Sequence, residues 1–256
     1  MRKTCVFLCL LALAAVLPAS AQTEHNTIAR VYDVVPKAGM DQQWQEGLKK
    51  FHQWEHEHHV AGTYYTWRVI SGDRWGHYLI GTFGHDWKDF DAMEKDAPAG
   101  IGDEFRADLP PYTGSVKAAY YAFRTDLSST KPNPSQPPSH FTALITIMLK
   151  PGGDEDIADV IKAGNAAAEK SHWSGNPSQW YSLVDGGEVP QLVLAVSHKD
   201  WADFQQPDPS FGKMLSGVYG KEGAEALGHK FNKQVRSIKT EILQYLPDLS
   251  YIPETK

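Results

Sequence analysis

The sequence predicts an α+β protein made of two fused ferredoxin-like β-α-β-β-α-β repeats, packed sheet to sheet as an α+β barrel. Three observations predict this fold: an internal repeat, the same order of strand and helix patterns in both halves, and a proline-rich segment between them. The segment HDWKDF at residues 85–90 recurs as KDWADF at 199–204, and KAGMD at 37–41 recurs as KPGGD at 150–154. Repetition at a nearly constant offset indicates a duplicated structural unit.

The first repeat is defined by its apolar patterns. Residues 28–35 alternate and carry β-branched side chains, which predicts a strand. A helix is predicted from Asp41, as its N-cap, to about His58, because Trp44 and Leu48 form an apolar stripe at helical spacing. The remaining elements are a strand at 64–70, a tight turn at 71–73, a strand at 75–83, a helix capped by Asp86 and a strand at 116–124.

The second repeat follows the same order. Strands are predicted at 141–149, 178–184, 191–197 and 235–245, and a helix at 154–170. A second helix opens at Asp200, and an insert at 207–232 holds one or two helical turns. The β-α-β-β-α-β order in both halves is that of the ferredoxin-like unit.

The domain boundaries follow from the repeat and from composition. They are a signal peptide at 1–21, repeat 1 at 22–127, a proline-rich linker at 128–140 and repeat 2 at 141–256. The linker assignment rests on four prolines, which disfavour both helix and central strand.

The N-terminus has the pattern of a secretory signal. Arg2 and Lys3 precede an apolar run of about a dozen residues, and a small-residue site follows at Ala19-Ser20-Ala21. Cleavage after Ala21 predicts a periplasmic protein, with secretion as the second choice. The alternative is a membrane anchor, but the run is shorter than the roughly 20 apolar residues that a spanning helix needs.

Composition excludes several classes of function. Both cysteines, Cys5 and Cys9, lie in the predicted leader, so the mature chain has no disulfide and no thiolate nucleophile. The net charge of the whole chain is −6, and removal of Arg2 and Lys3 makes it −8. Basic residues form no stripe, so nucleic acid is not an expected partner, and no membrane association is expected after cleavage.

Both faces of the predicted strands are apolar. Tyr65, Trp67 and Val69 occupy one alternating set, while Tyr64 and Ile70 occupy the other. A ferredoxin-like sheet carries helices on one face only, so its other face must be covered. The second repeat is expected to cover it within the same chain.

These features together resemble the dimeric α+β barrel superfamily in a fused, tandem form, over residues 27–249. Relatives include the antibiotic-biosynthesis-type monooxygenases, NIPSNAP and EthD-like proteins, and the haem-handling dye peroxidase and chlorite dismutase group. The resemblance rests on element order, duplication and the Asp-Trp-x-Asp-Phe segments. It implies a small-molecule-binding protein that can assemble as a homo-oligomer, with cofactor-independent chemistry on a planar or phenolic ligand.

The densest polar feature is the HQWEHEHH segment at residues 52–59. A helix advances about 100° per residue, which puts Glu55 and His58 in line with the apolar stripe. Both are therefore predicted to face a cavity between helix and sheet as acid/base groups, with His52 beside them as a binding residue. In the alternative interpretation these side chains are solvated. His52, Glu55, His56 and His59 also have metal-ligand spacing, but no metal is assigned.

A binding role is also predicted for Trp67, Arg68 and His77. Aromatic side chains are dense in the first repeat and suit a planar ligand, although core packing alone also explains them. In an enzymatic version, His58 or Glu55 acts as base, and Arg68 or a tyrosine holds the oxyanion.

Two alternatives remain beside small-molecule binding with chemistry. One is a non-catalytic binding or interaction protein whose core is filled by side chains. The other, minor one is haem binding, for which His172 and His229 are the candidate axial ligands. No cofactor is assigned.

Overall fold

The structure is a computed structural model that describes residues 27–133 and 136–253. Its strands are β1 (Ile28–Pro36), β2 (Tyr65–Val69), β3 (Tyr78–His85), β4 (Thr113–Phe123), β5 (Phe141–Leu149), β6 (Ser178–Asp185), β7 (Gln191–His198) and β8 (Val235–Tyr245). Its α-helices are α1 (Asp41–Glu57), α2 (Trp87–Lys95), α3 (Ile101–Asp108), α4 (Asp154–Lys170) and α5 (Phe211–Gln234). The predicted signal peptide lies outside the described residues. No helix in the described ranges is long and apolar enough to span a membrane.

All eight strands form one closed antiparallel barrel in the order β1-β3-β2-β8-β5-β7-β6-β4. The α+β class is confirmed, but the two sheets do not simply lie face to face. Their edges are hydrogen-bonded to each other, with Trp67 opposite Tyr245 where β2 meets β8, and Phe123 opposite Tyr181 where β4 meets β6. Closure pairs the edge strands, which otherwise expose unsatisfied backbone groups.

The helices cover the outside of the barrel. Trp44 and Leu48 of α1 pack on Val34 and Tyr78, and this outer core also includes Leu109 and Leu249. A second outer core lies beneath α4, around Ile157. The inward-facing side chains of the strands form a separate apolar lining, so β2 is buried on both faces, whereas the first halves of β4 and β8 are exposed. The apolar pattern on both faces of β2 is thereby explained.

The connection between β2 and β3 is longer than the sequence pattern indicates. The third strand begins at Tyr78, whereas Trp75 is 70% exposed and lies in the loop. Two glycines at positive φ, Gly72 and Gly76, let this loop fold back over the end of the barrel. The tight turn predicted at 71–73 is therefore wrong, because ion pairs of Arg74 hold the wider loop in place.

The second half departs from the predicted pattern after β7. Asp200 opens only a single 3-10 turn, Ala202–Phe204, instead of a helix. Gln205 has extended geometry (ψ 131°) and ends the turn, and Pro207 disfavours helical backbone at the next residue, Gln206. The insert forms the 24-residue helix α5, which is kinked at Gly220, rather than one or two turns.

The first half also contains two differences. Helix α3 lies within the stretch rich in proline and glycine at residues 97–114, for which the sequence predicts no element. Helix α1 begins at Asp41, and Met40 rather than Asp41 is its N-cap. The Asp41 carboxylate instead accepts hydrogen bonds from the Tyr78 hydroxyl (2.9 Å) and from the Gln45 amide (2.8 Å), which tie the helix to the sheet. The domain boundaries stay predictions.

Candidate ligand-binding site

The barrel encloses a cavity of about 1060 Å³. Strands from both halves of the chain line it, because alternate residues of every strand point inward. The aromatic side chains of the lining are Tyr65, Trp67, Phe83, Tyr121, Phe123 and Tyr181. The cavity is therefore an aromatic chamber built jointly by the two halves.

The cavity exists because the inward residues of the two halves differ in size. The first half supplies most of the large rings. On β5 and β7 the inward residues that line the cavity include Thr142, Ala195 and Ser197. Small side chains opposite large ones leave space that a uniformly bulky set would fill.

One end of the barrel is crossed by the chain that joins the two halves. Its cavity-lining residues are Thr130, Lys131, Pro132, Asn133, Gln136, Pro137, Pro138 and Ser139. The hydroxyl of Tyr65 donates to the backbone carbonyl of Gln136 at 3.4 Å. The segment predicted as a linker therefore also forms the cover of the cavity.

An ionic network that includes the cavity-lining residue Arg74 lies at the opposite end of the barrel. The loop between β2 and β3 brings Arg74 to Glu241 on β8, with Nε 3.0 Å from Oε1 and Nη2 also bonded to Oε2. Arg74 Nη1 donates to Asp33 Oδ2 at 3.1 Å, and Asp33 Oδ1 lies 2.7 Å from His77 Nδ1. We call this network of four side chains the floor of the cavity; its members are Asp33, Arg74, His77 and Glu241.

The pKa shifts of the floor and lining residues follow from burial and charge. Burial by itself disfavours the Arg74 cation, but hydrogen bonds and attraction from Glu241 and Asp33 outweigh it and raise its pKa. Burial raises the pKa of Tyr121, which the nearby Arg74 opposes only in part. Burial also raises the pKa of Tyr181, whose hydroxyl donates to Gln179 Oε1 at 3.1 Å. Both phenols therefore stay neutral at neutral pH.

Trp67, one of the predicted binding residues, lies in the cavity wall. Its side chain is 8% exposed, and its indole Nε1 is buried without a hydrogen-bond partner among the described residues. A buried N–H without an acceptor costs free energy. An acceptor oxygen on a bound molecule would remove that cost.

The other predicted binding residues lie elsewhere. Arg68 is on the outer face of β2, with its guanidinium 5.7 Å from the Tyr78 ring centre and 3.7 Å from Asp41. His77 belongs to the floor network through Asp33, so it does not share a cavity with Glu55 or His58. His52 is buried in the contact between α1 and the C-terminal segment.

The two predicted catalytic residues are separated by the end of the helix. Glu55 is 4% exposed, and its Oε2 lies 2.5 Å from His52 Nδ1, while His52 Nε2 lies 3.2 Å from the Leu249 carbonyl oxygen. His58 is exposed and stacks on Trp54 at 3.9 Å. The expectation that His58 continues the buried stripe is wrong, because α1 ends at Glu57 and the helical period ends with it.

Neither residue lines the barrel cavity. The cavity expected between α1 and the sheet is filled there by the His52–Glu55 pair and by Tyr251, whose hydroxyl donates to the Val60 carbonyl. The catalytic assignment of Glu55 and His58 stays a prediction, and the H58A variant tests it.

The alternative metal and haem sites do not assemble. His52 and Glu55 bond to each other, but His56 packs against Tyr251 at 4.7 Å and His59 is exposed with φ 52°, so the four candidate metal ligands do not gather around one point. No three His, Cys, Asp or Glu side chains in the described ranges are placed to hold a metal ion. His172 and His229 are both exposed and neither lines the cavity, so they do not fit a haem.

Sequence reasoning did not select Arg74, Tyr121, Tyr181 or the cover segment as site residues. Arg74 lies next to the predicted turn, and the local sequence does not indicate which residues its side chain contacts. Tyr121 and Tyr181 occupy positions on their strands that alternate toward the inside of the barrel. This alternation is the only feature of the sequence that indicates their place in the site.

Known structures share this architecture. A candidate monooxygenase from Fusobacterium nucleatum aligns over 87% of this chain and 94% of its own, with 16% identity and a TM-score of 0.54. A candidate monooxygenase from Lactobacillus acidophilus aligns over 88% and 96%, with 13% identity and a TM-score of 0.52. An anthrone oxidase-like protein aligns over 87% and 92%, with 12% identity and a TM-score of 0.51.

The chain has the fold of the dimeric α+β barrel superfamily. The resemblance stated from the sequence is thereby confirmed at the level of fold. No family model and no curated protein matches the sequence. The shared fold does not assign an activity to this chain, because one fold carries many activities.

Proposed function

We propose that this dimeric α+β barrel protein binds a planar, largely apolar small molecule inside the barrel. The cavity of about 1060 Å³, lined by aromatic rings from both halves, is the observation that carries the proposal. Its volume is at the upper end of the roughly 300–1,000 Å³ of small-molecule sites. Offset or edge contacts with several rings favour a flat aromatic ligand.

The polar groups of the wall give the ligand an orientation. Trp67 offers one buried N–H donor without a partner among the described residues, and the neutral hydroxyl of Tyr121 lies near Arg74 at the floor. A ligand that carries at least one carbonyl or phenol oxygen satisfies such groups. The specific ligand class is thus a planar aromatic compound with an oxygen acceptor.

A dye-binding experiment tests the cavity directly. Nile red is neutral, planar and carries a carbonyl, and its fluorescence rises in apolar surroundings. We expect the A195F variant, whose new ring occupies the cavity, to lower its affinity by about tenfold or more. The matched control V116F adds the same ring at Val116, which is 51% exposed on β4. Equal binding by both variants would place the dye outside the barrel.

We also propose, as the enzymatic form of this function, that the bound ligand is oxidised by dioxygen without a cofactor. For anthrone, a ring CH2 loses two hydrogens and gains one oxygen as a carbonyl, and the second oxygen atom leaves as water. The proposal is supported by the volume of about 1060 Å³ and the aromatic lining of the chamber, which leave room for a tricyclic compound, and by fold similarity to a candidate monooxygenase and an anthrone oxidase-like protein.

Oxygen uptake separates the enzyme from a non-catalytic binding protein. An oxygen electrode should record consumption with anthrone in the native protein and little in A195F, while H58A should match the native protein because His58 is remote from the cavity. Nile red binding together with no anthrone-dependent uptake would leave the binding function and remove the enzymatic one.

We infer that the barrel arose by tandem duplication of a ferredoxin-like unit. The four strands before the cover are adjacent in the order β4-β1-β3-β2, and the four after it in the corresponding order β8-β5-β7-β6. Superposition of the two halves in a crystal structure tests this, and unrelated paths of the chain would contradict it.

We further propose that the protein is exported, on the strength of the N-terminal pattern alone. N-terminal sequencing of the protein purified from its own cells should begin at Gln22. A chain that still begins at Met1 would contradict export by a cleaved signal.

A further inference from the structure

We propose a second binding site, on the outside of the barrel, in which Arg30 takes the carboxylate of a small aromatic acid. Arg30 lies on the outer face of β1, beneath α2. Its guanidinium carbon is 5.2 Å from the ring centre of Tyr32 and 4.9 Å from that of Phe90. Nη2 donates to the Tyr64 hydroxyl at 3.3 Å. The cation is thus enclosed by aromatic side chains.

The charge of Arg30 has no counterion in the described part of the protein. Among those residues no carboxylate forms an ion pair with it, and its Nε is buried without a hydrogen-bond partner. Other arginines differ: Arg74 has Asp33 and Glu241, Arg68 has Asp41, and Arg124 has Asp126. Burial by itself disfavours the Arg30 cation, and only the neighbouring phenol groups of Tyr32, Tyr64 and Tyr120 offset that effect and raise its pKa, so a bound carboxylate would supply the counterion that the described residues lack.

The surrounding phenols do not supply that anion. Burial raises the pKa of Tyr32, and the opposing effect of Arg30 is smaller, so this hydroxyl stays neutral at neutral pH. Ring faces attract the cation, but by only about 0.5–2 kcal/mol. A carboxylate facing the guanidinium gives charge-assisted, bidentate hydrogen bonds that are stronger than either contact.

The neighbouring surface suits an aromatic ring attached to that carboxylate. Helix α2 has no fully buried residue, so its apolar side chains stay partly accessible from the surface. Trp87 is 51% exposed and lies 5.3 Å from the ring of Tyr120, and Phe90 lies 5.5 Å from the same ring. A small planar acid can stack on these rings while its carboxylate reaches Arg30, which is itself partly exposed.

Thermal denaturation with sodium benzoate tests the site. Benzoate is titrated against sodium chloride at equal ionic strength, so that general salt effects cancel. We expect benzoate to give a saturable rise of Tm in the native protein and no such rise in R30M. In R30K, which keeps the charge but loses the planar guanidinium fork, the same rise should need at least a tenfold higher benzoate concentration. Without benzoate, R30M should still unfold in a single cooperative transition.

Two controls fix the location. Arg68 also lies over a tyrosine ring on the outer face but has a carboxylate partner, so R68M should keep the benzoate response. A195F, which fills the barrel, should keep it too, and this separates the site from the barrel ligand. The proposal is overturned if the native protein shows no saturable response, if R30M keeps it, if either control loses it, or if R30M fails to fold.

Discussion

At the residue scale, the barrel floor depends on how closely one loop approaches β8. Gly72 has φ +82°, and a Cβ added there would lie 2.8 Å from the Thr240 carbonyl oxygen and 2.8 Å from Glu241 Cγ. Only glycine permits both the backbone geometry and this approach. The approach brings Arg74, two residues further on, to Glu241.

The variants G72A and G76A separate these two requirements. Gly76 also has positive φ (+86°), but a Cβ added there would have no neighbouring atom within 4 Å. G76A should lower the free energy of unfolding by about 1–2 kcal/mol through backbone conformation alone. G72A should lower it further, because the β8 backbone must also shift. Urea denaturation measures both, and equal losses would show that the close approach carries no cost.

The sequence predicts that the chain turns here, but it does not predict which part of the barrel the loop contacts. Serine, glycine and aspartate at 71–73 are turn residues in any context. Nothing local identifies the residue that the loop contacts, since Glu241 is 167 positions away from Arg74.

At the scale of elements, the C-terminal end of α1 is a docking surface for the end of the chain. The buried His52–Glu55 pair contacts the Leu249 carbonyl, and His52 stacks on Tyr251 at 5.7 Å. Tyr251 in turn forms an antiparallel bridge with Tyr64. The polar residues on the buried stripe therefore hold the C-terminal segment against the helix.

The variants E55Q and H58A test this structural role. Glu55 is buried and bonded, so E55Q should lower the free energy of unfolding by about 1–3 kcal/mol. His58 is exposed, so H58A should change it by less than about 0.5 kcal/mol. Nile red affinity should be unchanged in both. If H58A lost dye binding while its stability stayed native, His58 would be shown to contribute to the ligand site.

Helical spacing predicts the burial of Glu55 correctly and that of His58 incorrectly. The period identifies a face only while the helix continues, and the helix end depends on the packing of residues 58–62. Likewise, the repeated Asp-Trp-x-Asp-Phe pattern begins helix α2 in the first half but only one turn in the second, where Pro207 follows.

At the scale of the whole molecule, the two halves are joined by strand pairing at two edges and by the floor network. Arg74 and Asp33 belong to the first half, and Glu241 belongs to the second. Glu241 is 6% exposed, so removal of its partner leaves a carboxylate buried and uncompensated.

A double-mutant cycle measures this coupling. R74M should lower the free energy of unfolding by about 3–5 kcal/mol. The R74M/E241Q double variant should lose less than the two single losses combined, because the uncompensated charge is removed. The halves should also unfold together in one transition. Additive losses, or two separate transitions, would indicate that the barrel halves are energetically independent.

The sequence by itself determined the α+β class, most of the strands to within about two residues, and the shared face of Tyr65, Trp67 and Val69. Alternation and helical spacing record which face of an element is buried, since every residue carries that preference locally. Tertiary structure alone decided which edge strands pair to close the predicted barrel, that the proline-rich segment covers its cavity, and that Arg74 belongs to its floor. These depend on contacts between residues far apart in the chain, such as Trp67 with Tyr245, and local patterns specify burial without specifying the partner.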